Sequence, residues 1–250
     1  MKKPKIVFFD YGQTLIDETS FDLMKGIQAV LETAVENPKN VPPKEIADFF
    51  GRMLQDINLP TKDFTGMQYI EVPDPMMQEY LFRFFGLRPV KSSREIEWMF
   101  WNRTKTSKPS PGITDVLSFL RENGIRTGVI SNTPITEEIL AKSLKKLIPE
   151  NSFDPIVTSS ETIFRKPHPR IFQYALQRAG LPASEAVHCG DNPMCDIEGA
   201  SAAGIFPVWY KGCCTVAENI QPKCKHLAIQ SWRELKDKIS RISETSETQK

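Results

Sequence analysis

Cysteine is scarce and late in this chain. Of 250 residues five are cysteine, an odd number, and none precedes Cys189. A secreted disulfide framework is denser and more even, so that class is excluded. Cys213, Cys214, Cys224 and His226 could be read as a zinc group. The paired Cys-x-x-Cys units of such sites are missing, and reduced loop thiols are the plainer reading. Excess charge is missing as well: 32 basic against 31 acidic residues leave +1, too weak a field to gather nucleic acid or acidic lipid. Long apolar runs are absent. After Lys2, Lys3 and Lys5 the chain offers only Ile6, Val7, Phe8 and Phe9 before Asp10. That is too short for a signal peptide, nothing later approaches a membrane span, and the expected location is cytoplasmic with no membrane partner. No internal repeat is visible, and the composition does not fix an oligomeric state.

What remains is an ordinary globular composition, 40% hydrophobic and 25% charged, enough for one large domain or a core with a smaller module. Residues 5–10 read as a short buried strand, as in a central parallel strand covered on both faces. From Phe21 to Thr106 the spacing is helical instead, with Phe21, Met24, Ile27, Val30 and Leu31 on one stripe and Ile46, Phe49, Phe50, Met53 and Ile57 on another. Pro42, Pro43, Pro60, Pro73, Pro75, Gly86 and Pro89 punctuate these helices. Beyond "SKPSPG" helix and strand alternate, through "IRTGVI", "PIVTSS", "AVHC" and "IFPVWY". Repeated strand–helix units mean a parallel sheet with crossover helices. The expectation is an α/β fold: a Rossmann-like parallel sheet core from residues 1–17 and 107–243, an inserted all-helical cap at 18–106, and a frayed tail at 244–250. The insert's links to the core would fall near Asp17 and Lys108, where a hinge could admit substrate.

Three strands run into polar residues: Asp10, then Ser131 with Asn132, then Gly190 with Asp191. Open α/β sheets bind ligands outside the carboxyl ends of their strands, so Asp10, Ser131, Asp191 and the nearby Asp196 should share one crevice. A lone strand-end aspartate is more often a cap or turn residue than a nucleophile. Three such ends, with a lysine in "RKPHP", make a stronger pattern.

That set resembles the haloacid dehalogenase superfamily of aspartate-nucleophile hydrolases. "DYGQTL" corresponds to its Asp-x-Asp-x-Thr motif at Asp10 and Thr14, and "GVISN" to its strand-end Ser or Thr at Ser131. "RKPHPRIF" corresponds to its lysine at Lys166, and "GDNPMCD" to its final acidic motif at Asp191 and Asp196. The insert lies where the superfamily carries its mobile C1 cap. The resemblance implies a phosphatase-like hydrolase acting on a small phosphorylated metabolite. In it Asp10 would be the nucleophile. Lys166 would neutralise charge and bind phosphate with Thr14, Ser131 and Asn132. Mg²⁺ would be held by Asp10, the Gly12 carbonyl and Asp191, and Asp196 would orient Lys166 or metal-bound water. The plainer readings are a solvated Lys166 and an Asp196 favoured by a helix dipole.

The chain departs from the pattern at Gly12, where the superfamily's phosphatases carry a second aspartate as acid and base. Glycine keeps the carbonyl but has no proton to give, and the amide of Gln13 does not exchange protons near neutral pH. General acid–base help is worth ~10²–10⁴-fold. One reading is therefore a phosphatase that is slow, suited to good leaving groups, or supplied with an acid from the cap. Another resembles phosphonoacetaldehyde hydrolase, with Lys25, Lys44 or Lys62 as its Schiff-base lysine. A third is a metabolite-binding protein with little turnover. The dehalogenases also lack the second aspartate, but use no metal, and the intact "GDNPMCD" argues against them. Phe82, Phe84, Phe85, Trp98, Phe100 and Trp101 either line a substrate pocket or form the insert's own core.

Overall fold

The computed structural model describes residues 3–57, 69–213 and 220–247, with side chains described through residue 242. In chain order it contains β1 (Ile6–Phe9), β2 (Ile16–Phe21), α1 (Leu23–Thr33), β3 (Val35–Glu36), α2 (Pro43–Asp56) and α3 (Asp74–Phe85). Then follow β4 (Arg88–Pro89), α4 (Ser93–Thr104), β5 (Lys105–Pro109), α5 (Ile113–Glu122), β6 (Arg126–Ser131) and α6 (Glu137–Leu147). The chain continues through β7 (Ile156–Thr158), α7 (Ser159–Thr162), α8 (Pro169–Ala179) and β8 (Ala186–Gly190). A π-helical turn at Pro193–Glu198 leads into α9 (Gly199–Ala202), β9 (Phe206–Tyr210), β10 (Leu227–Ile229) and α10 (Trp232–Glu247).

Side chains alternate between the two faces of a strand, and β1 shows what that does here. Ile6 and Phe8 enter one core with Ile171, Phe172 and Ala200 from the α8 and α9 side. Val7 and Phe9 enter the other with Leu117, Leu140 and Trp232, from α5, α6 and α10. All four are fully buried, each contributing ~1.5–3 kcal/mol of transfer energy. A strand covered on both faces has to be apolar throughout, which is why "IVFF" has no polar phase. The parallel six-stranded sheet runs β10-β9-β8-β1-β6-β7. Phe9 pairs in register with Val129 of β6 and Cys189 of β8, so the three polar strand ends emerge side by side.

The inserted segment has its own core, in which Ile27, Val30, Ile46, Phe50, Met77, Leu81, Phe85, Ile96 and Phe100 pack together. It is not all-helical as its spacing implies. Its two ends pair as an antiparallel ribbon, β2 with β5, and a two-residue ladder joins β3 to β4. "IDETSF" and "KTSKP" carry no apolar alternation, and their pairing spans most of the insert, so nothing local in the sequence marks it. The boundaries at 17/18 and 106/107 therefore fall inside a structured ribbon.

The insert also touches the core away from its chain links. Residue Ile70 bridges Phe164, Glu71 N–H donates to Ile163 O, and the Glu71 carboxylate is ion-paired with Arg165. Glu97 on α4 accepts from the Thr136 N–H at 2.7 Å and its hydroxyl at 2.8 Å. At the other end α10 continues to Glu247, into the stretch expected to fray. A helix nucleated on buried Trp232, Leu235 and Ile239 propagates at little cost per residue. Among the described residues no helix is long and apolar enough to cross a membrane.

Candidate active site

Asp10 follows β1 directly, and its backbone N–H still donates to Cys189 O of β8 at 2.8 Å. Across from it stands Lys166, whose buried ammonium donates to Asp10 Oδ1 at 2.6 Å, Asp196 Oδ1 at 2.6 Å and Ile130 O at 2.8 Å. These three acceptors use the three N–H bonds of an ammonium, which fixes Lys166 as a point charge between two carboxylates. It is no solvated lysine. Its loop is held by Asn132, whose carboxamide accepts from Lys166 N–H at 2.6 Å and donates to Lys166 O at 2.8 Å. Asn132, expected among the phosphate contacts, thus spends its side chain on the lysine's backbone.

Asp191 follows β8, with its carbonyl held by the Trp209 indole at 2.9 Å. Thr14 is fully buried and donates to Asp191 Oδ1 at 3.4 Å, so its observed partner is this carboxylate. Asp196 has both oxygens engaged: Oδ1 by Lys166 and by His188 Nε2 at 2.9 Å, Oδ2 by the Asn192 N–H at 3.0 Å. The glycine of "GDNPMCD" is a packing requirement. A Cβ at Gly190 would stand 2.2 Å from Asp196 Cγ. Ser131 ends β6, buried, beside this group.

The electrostatics follow from burial and crowding. Burial pushes Asp10 up to about 6, with the Asp196 charge adding and Lys166 opposing. Burial and the charges of Asp10 and Asp196 drive Asp191 well above the carboxylate range. Asp196 goes the other way: burial opposes ionisation, but Lys166 and His188 hold it near about 2. Lys166 is raised, its two carboxylates outweighing burial. Burial lowers His188, so its neutral ring can donate to Asp196.

Ligand atoms of Asp10, Asp191 and Asp196 lie within 4.8 Å of one another, the one such metal-capable group among the described residues. Crowded oxygens that resist joint ionisation suit a hard cation. Asp196 already accepts three hydrogen bonds, from Lys166, His188 and the Asn192 N–H, which leaves Asp10 and Asp191 as the less engaged carboxylates. Among the described residues, Cys213, Cys224 and His226 do not assemble as a zinc site. Cys213 Sγ contacts Asp17 Oδ1 at 2.6 Å, Cys224 Sγ reaches Ile197 O at 3.6 Å, and His226 Nδ1 meets Cys224 O at 2.8 Å. Cys214 lies outside the described residues.

Gly12 has an ordinary backbone, whereas Gln13 beside it takes φ 55°. Beyond its chain neighbours, the nearest atoms a Cβ at Gly12 would meet are those of the Glu18 carboxyl, at 3.7–3.9 Å. Glu18 on β2 is ion-paired with Lys105 of β5 at 2.6 Å. Neither Glu18 nor His188 stands out in the sequence, since both contacts form only in the folded chain. The Schiff-base candidates fare differently: Lys25 and Lys44 are exposed and paired with Asp22 and Asp48, and Lys62 lies outside the described residues. Of the insert's aromatics, Phe85 and Phe100 are buried in its core and Phe84 is exposed. Trp98 and Trp101 pack against the sheet's core, where with Tyr11, Asn102, Lys105 and Lys146 they line a crevice of about 80 Å³.

A family model for haloacid dehalogenase-like hydrolases matches residues 4–204. Glyceraldehyde 3-phosphate phosphatase of Pyrococcus abyssi is 28% identical over 211 residues, covering 83% of this chain and 81% of that protein. The protein of the same name from Methanopyrus kandleri is 36% identical over 212 residues, 82% of each chain. Among solved structures, a HAD phosphatase from Thermococcus onnurineus superposes with a TM-score of 0.58 at 19% identity, covering 94% of this chain and 97% of its own, a likeness of fold.

Proposed function

The chain belongs to the haloacid dehalogenase-like hydrolases, and on that footing we propose that it is a Mg²⁺-dependent phosphatase working through an aspartyl-phosphate at Asp10. The observation that carries this is the Lys166 ammonium seated 2.6 Å from both Asp10 and Asp196. A pure anion-binding site has no use for a buried carboxylate aimed into it, and phosphoryl transfer needs a nucleophile with cations beside it. Asp10 attacks phosphorus in line, and the bond to the leaving oxygen breaks with its electron pair. Lys166 offsets the charge gathering between nucleophile and phosphate. Ser131 and backbone N–H groups hold the phosphate oxygens, Asn132 fixes the Lys166 loop, and Thr14 and Asp196 orient Asp191 and Lys166. Mg²⁺, held by Asp10, Asp191 and the Gly12 carbonyl, would supply two further positive charges at the phosphate.

The substrate is a small phosphorylated metabolite, in keeping with the crevice of about 80 Å³ beside Tyr11 and with the phosphatases named among its relatives. Because Gly12 brings no acid to the leaving oxygen, acyl and aryl phosphates should turn over faster than alkyl ones. A panel of such substrates, assayed with Mg²⁺ and with EDTA, tests the reading. Full activity in EDTA would remove the metal from it. Equal rates for alkyl and aryl phosphates with chemistry limiting would remove the missing-acid argument.

A further inference from the structure

We propose that Glu18 is the general base for the second half of the reaction, the hydrolysis of the aspartyl-phosphate; this rests on the phosphatase reading above. Three observations point to it. The carboxyl of Glu18 stands 3.7–3.9 Å from where a Cβ at Gly12 would lie, and beyond the chain neighbours its atoms are the three nearest to that point. The chain thus brings a carboxylate from β2 into the space a second motif aspartate would fill.

Second, the local backbone is shaped around this residue. The β2–β5 ladder slips register between Glu18 and Ser20, with Thr19 as the additional residue, and bulges next to active sites re-aim side chains. Gln13 adopts φ 55°, in the left-handed region, and its carboxamide donates to the Glu18 carbonyl at 3.2 Å. The two residues of "GQ" divide the work: one vacates the space, the other ties down the strand that fills it.

Third, Lys105 pairs with Glu18 at 2.6 Å and also lines the crevice beside Tyr11. The pair ties the Glu18 carboxyl to a residue of that crevice. The step is balanced as follows. Water oxygen bonds to phosphorus, the Asp10 Oδ–P bond breaks with its pair returning to the Asp10 carboxylate, and the water proton passes to Glu18 and on to solvent. Glu18 gives nothing to the leaving group of the first step, so the preference for good leaving groups stands beside this role.

The test is rapid-quench kinetics of Glu18→Gln with Mg²⁺ and p-nitrophenyl phosphate. The expected result is a burst of one phenol per enzyme at the wild-type rate and phosphoryl-Asp10 accumulating. Steady turnover should fall ~10²-fold or more, the scale of a lost general base. The double variant Gly12→Asp/Glu18→Gln should recover steady turnover, because a carboxylate returns to the same space; a structural role would show no such rescue. If Glu18→Gln does not fold, Glu18→Asp keeps the charge but draws the carboxylate back, and accumulation is again expected. Unchanged steady turnover, or a burst and turnover reduced by the same factor, would overturn the assignment. No phenol release by the wild type would remove the phosphatase reading itself, and this assignment with it.

Discussion

At the scale of single residues, Gly12 decides which leaving groups the site can expel. Beyond its chain neighbours, the nearest atoms to a Cβ at Gly12 belong to the Glu18 carboxyl, at 3.7–3.9 Å, so an aspartate placed there would lie against Glu18. The incoming carboxyl would crowd the Glu18 carboxylate, and like charges at close range keep one of them protonated. A protonated Asp at position 12 is the acid the first step lacks. Gly12→Asp should therefore raise turnover of alkyl phosphates by ~10²-fold while changing aryl phosphates little, read from kcat for the two substrate classes. A rise of equal size for both would show that leaving-group protonation was never limiting. Asp191 gives the matching test for the metal. Its carboxylate faces Asp10 within the cluster whose ligand atoms lie inside 4.8 Å. Asp191→Asn should weaken Mg²⁺ binding in calorimetry and lower activity together; intact Mg²⁺ affinity would place the cation elsewhere.

Among the elements, α3 carries a built-in cost. Asp74, at its first turn, is fully buried, donates its N–H to Pro134 O and has a side-chain oxygen without a partner. Burial, then the nearby Glu97 charge, pushes this carboxyl up to about 8 from 3.8. A raised acid means that the native state keeps a proton the unfolded chain has released. Stability is thus lost as pH rises from the unfolded value towards the folded one, and is level above it. Asp74→Asn removes that slope. In urea melts the variant should gain on the wild type between about pH 5 and about pH 8 by up to a few kcal/mol. A pH-independent difference would mean that Asp74 is ionised in the fold.

The same scale shows what the sequence carries and what it does not. β1, β6 and β8 announce themselves because strands buried on both faces are mostly apolar and end on polar residues where they leave the sheet. Asp10, Ser131 and Asp191 were therefore legible as neighbours, and Lys166 through its Lys-Pro setting. The ribbon β2–β5 was not, since both strands are polar and their partners are remote in sequence. Glu18 was hidden for that reason, and His188 because a buried strand histidine looks like packing until Asp196 is folded against it.

For the whole molecule, the insert has a core of its own yet grips the sheet domain through Glu71 and Glu97 as well as the ribbon. Replacing residues 22–104 with a short linker should leave a cooperatively folding core of lower stability, because Thr136, Ser159 and Arg165 lose partners. Substrate selectivity should broaden in the same protein; unchanged selectivity would mean that the insert does not choose the substrate. All of this presupposes that Asp10 becomes phosphorylated. The most direct test is to quench the enzyme during turnover of an acyl or aryl phosphate with Mg²⁺, then locate the phosphoryl group by peptide mass spectrometry. The expected result is an acid-stable, hydroxylamine-labile adduct on Asp10, absent with EDTA and absent in Asp10→Asn. Turnover with no adduct on Asp10 under any quench time, or undiminished turnover by Asp10→Asn, would contradict it.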